Sequence, residues 1–212
     1  MKIQHFEPKI RRRTLIAKAM SWRQSRADSV GGIGNEAFAG CNHLTSATIG
    51  NSITSIGSSA FNLCSGLTSI TIPGSVTNIG SEAFILCTSL TGVYFQGNAP
   101  AYGVDVFTDV TNVTVYYLPG TMGWDSMFAD VPAVLWNPQA QTTDGSFGVL
   151  NNQFGFNITG TTNIPVVVAA CTNLANPVWQ PLSTNTLTGG ISYFSDPLWT
   201  NYPSRFYSLQ MP

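Results

Sequence analysis

Charge is scarce in this chain: 9% of its 212 residues are Asp, Glu, Lys or Arg, against about 25% in ordinary soluble domains. Positive charge is scarcer still after position 28. Eight of the nine bases, Lys2, Lys9, Arg11, Arg12, Arg13, Lys18, Arg23 and Arg26, stand before that point, and only Arg205 follows. From Ser29 onward eight acids face that one base, a net charge of −7 (1 − 8). No basic face is left there to neutralise phosphates, which argues against nucleic acid as a partner. Histidine is limited to His5 and His43, so the C-terminal third has no imidazole for a Ser-His-Asp arrangement. No window approaches the roughly 18 apolar residues of a membrane-spanning helix. The four cysteines form no Cys-x-x-Cys, which removes the commonest zinc and redox spacing. Carboxylates pair at Asp105/Asp109 and Asp125/Asp130, but on turns, where capping or solvation is the ordinary role. Without an Asp-x-Asp-x-Asp-Gly loop they carry no calcium signature. The expectation is therefore no catalytic residue, no cofactor and no metal.

What the chain does have is a period. Cys41, Cys64 and Cys87 stand 23 residues apart, each inside the phrase Gly-x-x-Ala-Phe-x-x-Cys-x-x-Leu-Thr, at 34–45, 57–68 and 80–91. A fixed period of this length marks a stack of similar units, each burying its apolar side against its neighbours. The slots repeat as Phe38, Phe61, Phe84 and Phe107, and as Leu44, Leu67, Leu90 and then Val113. Val110 follows the three cysteines in their slot. A valine there means that the slot selects a small apolar group, so an interior cysteine ladder is expected and thiol chemistry is not. Cys171, after an apolar run, reads as a buried strand residue.

Within a unit, Leu67, Ile70 and Ile72 occupy the first, fourth and sixth places, the leucine-rich pattern of a short strand with those side chains inward. Leu44, Ala47 and Ile49, then Leu90, Val93 and Phe95, and finally Val113, Tyr116 and Leu118 are the equivalents. Pro73-Gly74 punctuates a turn, Val76 and Ile79 mark a second extended segment, and Ser81-Glu82-Ala83-Phe84 reads as a single helical turn. The outward column of the strands holds Thr48, Thr71, Tyr94 and Tyr117. Tyrosines on a rigid sheet offer large contact area at small conformational cost, so this column is the candidate binding face.

The phrase resembles the BspA-type leucine-rich repeat, a family of bacterial surface and secreted proteins whose units read Ile-Gly-x-x-Ala-Phe-x-x-Cys-x-x-Leu-x-x-Ile-x-Ile-Pro. The match is close over residues 29–95 and looser to about 118. The resemblance implies a right-handed solenoid used for adhesion or protein binding at the cell exterior, with no catalytic residues to carry over.

Residues 1–28 form a basic segment. Residues 9–13 followed by Leu15-Ile16-Ala17 look like an export leader with its apolar middle missing, since three residues fall short of an h-region. The expectation is a disordered or defective leader left by a truncation. After Leu118 the repeat fails, and Trp124, Met127 and Phe128 should cap the open end of a solenoid spanning 29–136. Residues 137–145 are polar and read as a linker. Residues 146–212 alternate short apolar runs with Asn, Gly, Pro and Thr clusters, which indicates an antiparallel β-sandwich of immunoglobulin or fibronectin character. Its phrase Trp179, Phe194-Ser195-Asp196 and Arg205-Phe206-Tyr207 looks like a C-terminal module of exported bacterial repeat proteins. Trp179, Tyr193, Trp199, Tyr202 and Tyr207 offer a second reading, a carbohydrate-binding surface. The sequence thus points to a mainly β, non-enzymatic protein that binds a protein or cell-surface ligand, with a glycan as the alternative and a fragment of an exported enzyme as a third.

Overall fold

The computed structural model describes residues 15–17 and 31–212. The basic cluster at 11–13 and the opening of the first unit at Ser29 and Val30 lie outside the described residues. The chain divides into two compact units. One runs to Val115 and adds Thr121–Ala133; the other is Tyr116–Gly120 with Val134–Pro212.

In chain order the first unit contains β1 (Leu15–Ala17), β2 (Gly32–Ile33), β3 (Ser46–Ile49), β4 (Ser55–Ile56), β5 (Ser69–Ile72), β6 (Asn78–Ile79), β7 (Gly92–Phe95) and β8 (Ala101–Tyr102). β9 (Thr114–Tyr117), β10 (Met127–Phe128) and β11 (Val131–Leu135) follow, the division between units falling inside β9 and β11. Two strands per turn build two parallel ladders, β1-β3-β5-β7-β9-β11-β10 and β2-β4-β6-β8, with the last pair of the first ladder antiparallel. The register is the sequence period itself: Ala47 faces Ile70 and Ile70 faces Val93, each a step of 23 residues. Ile49, Ile70, Ile72, Val93 and Phe95 are buried on the inward side, as their alternation requires.

The corner carrying the phenylalanine is not helical, a correction to the helical turn expected at 81–84. Alternate residues divide the bonding. Glu36, Phe38 and Gly40 donate their N–H to Ser58, Ala60 and Asn62 of the next turn, while Ala37, Ala39 and Cys41 donate three residues back within their own turn. The alternation needs left-handed backbone at every fourth residue, and Glu36, Ser59, Glu82 and Asp105, then Gly40, Leu63, Leu86 and Asp109, all have positive φ. An α-helix is about 10–12 Å wide, whereas stacked strands sit about 4.8 Å apart. Helical turns could not follow the strands at that spacing; flat turns bonded to each other can. The rings show the spacing directly. Phe38, Phe61, Phe84 and Phe107 stack with centroids 5.2, 5.2 and 5.6 Å apart. Gly80 is required where turns touch, because a Cβ there would strike the Ser58 backbone of the preceding turn.

At the far end of the stack the chain forms a hairpin. Met127 pairs with Pro132 and Phe128 with Val131 across a two-residue turn whose Ala129 and Asp130 both have positive φ, the primed geometry that suits strand twist. Phe128 is buried against Phe95 and Tyr102, and Trp124 meets Phe95 at 4.9 Å and donates its indole N–H to the Gly97 carbonyl at 3.3 Å. At the other end, β1 pairs in parallel with β3, Leu15 opposite Ala47 and Ala17 opposite Ile49. The three apolar residues read above as a leader's remnant therefore form a strand. A strict period of 23 would have put Gln24 and Arg26 opposite Ala47 and Ile49, positions that are inward and suit neither residue.

The second unit contains β12 (Gln139–Ala140), β13 (Gly148–Leu150), β14 (Gln153–Thr159), β15 (Pro165–Cys171), β16 (Gln180–Thr186), β17 (Ile191–Asp196) and β18 (Phe206–Gln210). They form two antiparallel sheets. β14 pairs along one edge with β17 and along the other with β12 and β13, and the second sheet runs β16-β15-β18. Phe156, Ile158 and Phe194 from one sheet and Val166 and Val168 from the other share a core with Trp136 and Leu187. The indole N–H of Trp136 donates to the Pro165 carbonyl at 2.7 Å. The expected linker is not one throughout, because Gln139 and Ala140 pair with Thr159 and Ile158. Tyr116 and Leu118, read as the fourth unit's inward residues, pack against this second core instead.

Candidate functional site

The outward column is in register where the two threonines and the first tyrosine are concerned: Thr48 faces Thr71, and Thr71 faces Tyr94. Its exposure does not follow its expected role. Thr48 is exposed and Thr71 half-buried, but Tyr94 is only 4% exposed. The ring of Tyr94 lies back over Gly92 on its own strand, where a Cβ would meet the phenol oxygen at 2.7 Å. Ser46 and Ser69 occupy the slot of Gly92 in earlier turns. The glycine is the one signal in the sequence that this tyrosine folds down. Tyr94 is thus withdrawn from the candidate face, and Tyr117, half-buried, belongs to the second unit.

Threonines beside that column face the same way in function. Thr68 Oγ1 donates to the Thr45 carbonyl at 3.0 Å and Thr91 Oγ1 to the Thr68 carbonyl at 3.2 Å, while on the other sheet Thr77 Oγ1 donates to Thr54 at 3.3 Å. These hydroxyls tie turn to turn and stiffen the outer surface without using charge.

The cysteine ladder is interior only in part. Cys64 and Cys87 are buried and fully screened, whereas Cys41 is exposed and Phe38 half-buried. Leu44, Phe61, Leu67, Phe84, Leu90 and Phe107 are buried. The thiols also do more than fill space. Cys64 Sγ donates to the Phe38 carbonyl and Cys87 Sγ to the Phe61 carbonyl, each at 3.1 Å. Burial pushes the thiols up, Cys64 to about 11 and Cys87 to about 12, so neither is a nucleophile at neutral pH. Among the described residues no three His, Cys, Asp or Glu side chains group closely enough to hold a metal ion.

In the second unit a cavity of about 650 Å³ gathers Trp179, Trp199, Tyr202 and Tyr207, four of the five aromatics named for a carbohydrate surface. Tyr193 is elsewhere, its phenol lying over Gly155. Phe206, from the phrase noted in the sequence, also lines it, with Leu174 and with Phe147, Phe154 and Phe156, which were not singled out as binding residues. Beside the cavity, the phrase around Asp196 closes into a buried cluster. Asp196 Oδ1 accepts the Leu198 N–H at 2.9 Å, and Oδ2 accepts the Tyr207 hydroxyl at 3.0 Å. Arg205 Nε approaches Oδ2 at 2.8 Å away from the hydrogen-bond axis, so that contact is ionic, and its guanidinium stacks 4.1 Å from the Tyr202 ring centre. Burial, then the bond to Asp196, pushes the Tyr207 hydroxyl up. Every charged group in this cluster is consumed by another.

Comparison with known proteins bears on the first unit. The BspA type leucine rich repeat region matches residues 24–124 in 6 copies. Among solved structures, a leucine rich repeat protein of T. pallidum is 24% identical over 41% of this chain and 52% of its own, with a TM-score of 0.34. The match thus spans about half of that protein's length. No curated protein matches the chain. Among the described residues no helix is long and apolar enough to cross a membrane. The period, the inward leucine strand, the phenylalanine stack and the cysteine slot all lie within residues 24–124, the stretch that is similar to the BspA-type leucine-rich repeats.

Proposed function

We propose that the first unit is a rigid recognition surface for another protein, in a non-enzymatic protein working at the cell exterior, with adhesion as its role. The observation that carries this is the repeat family of residues 24–124, whose members are typically surface or secreted proteins. The geometry adds a place. Thr48 and Thr71 stand in register on a ladder tied by threonine hydroxyls, and a surface already ordered loses little entropy on binding. Its acids without bases favour partners that are neutral or basic on the docking face.

The test is capture by cross-linking from the protein's native surroundings, with the full chain and with a Thr48→Glu/Thr71→Glu double variant. Both sites are outward, so melting should be unchanged. A partner held by the parent chain and lost by the variant is the expected result; equal capture by both removes this face from the reading.

A further inference from the structure

The C-terminal strand β18 is bonded on one side to β15, and the order β16-β15-β18 leaves its other side at the margin of the sheet. Side chains alternate along a strand. Tyr207 and Leu209 pack against the core, so Phe206 and Ser208 face the opposite way. The 650 Å³ cavity is nevertheless lined by every residue from 203 to 209. One face of a strand can supply only alternate residues. The cavity therefore wraps around the free edge of β18 and presents its backbone as well as its side chains. Phe147, Leu174 and Trp179 also line the cavity, as does Phe154, whose ring stacks on Tyr207 at 5.0 Å.

We infer that this edge receives an extended, uncharged segment of a partner protein, which pairs with Phe206–Gln210 as an added strand and sets alternate apolar side chains into the aromatic cavity. An open strand edge offers a row of backbone donors and acceptors that only another backbone satisfies along its length. The lining contains no Asp, Glu, Asn, Gln or Lys, and Arg205 is already occupied by Asp196 and Tyr202. A sugar would find few of the polar partners its hydroxyls need, and a charged segment would be desolvated without compensation. The inference is independent of what the solenoid binds.

The experiment uses the full chain and synthetic peptides of about eight residues, a usual strand length, alternating Thr with Val, Leu or Phe. Each has a counterpart N-methylated at every second amide. Hydrogen exchange should slow at amides of 206–210 with at least one parent peptide, saturably. The methylated counterpart should bind about tenfold more weakly or worse, because it keeps the side chains and loses the strand pairing. Leu174→Ser, on an exposed connection, should weaken binding about fivefold, the loss of one apolar contact, with melting unchanged. The inference fails if no peptide saturates, if methylation makes no difference, if a soluble oligosaccharide protects the same amides and the peptides do not, or if protection rises only with the chain's own concentration.

Discussion

Phe84 and Phe38 occupy the same slot two turns apart, and replacing each by Ala measures how the stack is held. Phe84 is fully buried with a stacked ring on either side, at 5.2 and 5.6 Å. Truncating a buried Phe to Ala costs about 3–5 kcal/mol, within which each lost aromatic pair accounts for about 0.5–1.5 kcal/mol. Phe84→Ala should therefore cost about 4 kcal/mol. Phe38 has one stacked neighbour, Phe61 at 5.2 Å, and is half-buried, so it loses one pair and about half the transfer term. Phe38→Ala should cost about 1.5–2 kcal/mol. With a urea slope of about 2 kcal/mol per molar, the midpoints fall by about 2 M and about 1 M respectively. The assay is urea unfolding followed by circular dichroism, with the Trp124 fluorescence reporting the cap of the same unit. Equal losses at the two positions would refute the picture of a stack whose strength lies in neighbour-to-neighbour contacts.

The thiols predict a pH dependence. Below pH 9, the ordinary thiol value, both folded and unfolded chains keep the cysteine protons; between there and about 12 the unfolded chain releases protons that Cys64 and Cys87 hold. Stability should fall as pH rises through that window, and Cys64→Val/Cys87→Val should flatten the fall, which thermal melts from pH 8 to 11 would show. At pH 8 iodoacetamide should label Cys41 in the folded chain and spare Cys64 and Cys87; equal labelling would overturn the assigned burial. Asp196→Asn removes the charge facing Arg205 in a buried pair and should destabilise the second unit by about 3–5 kcal/mol, read as early loss of exchange protection in β17 and β18. An unchanged profile would mean that Asp196 is solvated in solution.

The repeat was legible because period, strand alternation and turn residues all point to one register, which the structure keeps to the residue from β2 to β8 and leaves only at β1. The corner was not. Ser81-Glu82-Ala83-Phe84 has good local credentials for a helical turn, and only the spacing of neighbouring turns, a property of the stack and absent from any one unit, forbids it. Tyr94 was misplaced for a related reason: alternation gives the face of a strand but not the path of a long side chain across it, and the clue lay two residues away at Gly92. Gln139 and Ala140 gave no strand signal because their pairing comes entirely from β14. The Asp196, Arg205 and Tyr207 phrase stood out as a pattern, yet its meaning as one ionic cluster required the chain to bring together residues separated by a 3-10 turn and a proline-containing loop.

The alternating corner has an electrical direction of its own. In the first three turns of the corner three amides send their N–H toward the following turn, so the corner's own peptide dipoles add, while Thr54, Gly57 and Thr68 send theirs back to the preceding turn and offset them across the unit. The sense is reversed from a helix read in chain order, with the carbonyl-rich, negative end at the first turn and the amide-rich, positive end at the last. The slots that hold Gly40, Leu63 and Leu86 in the earlier turns hold Asp109 in the fourth, beside Asp105. Two carboxylates thus stand at the end of the corner where unbonded amides face outward and negative charge is welcome.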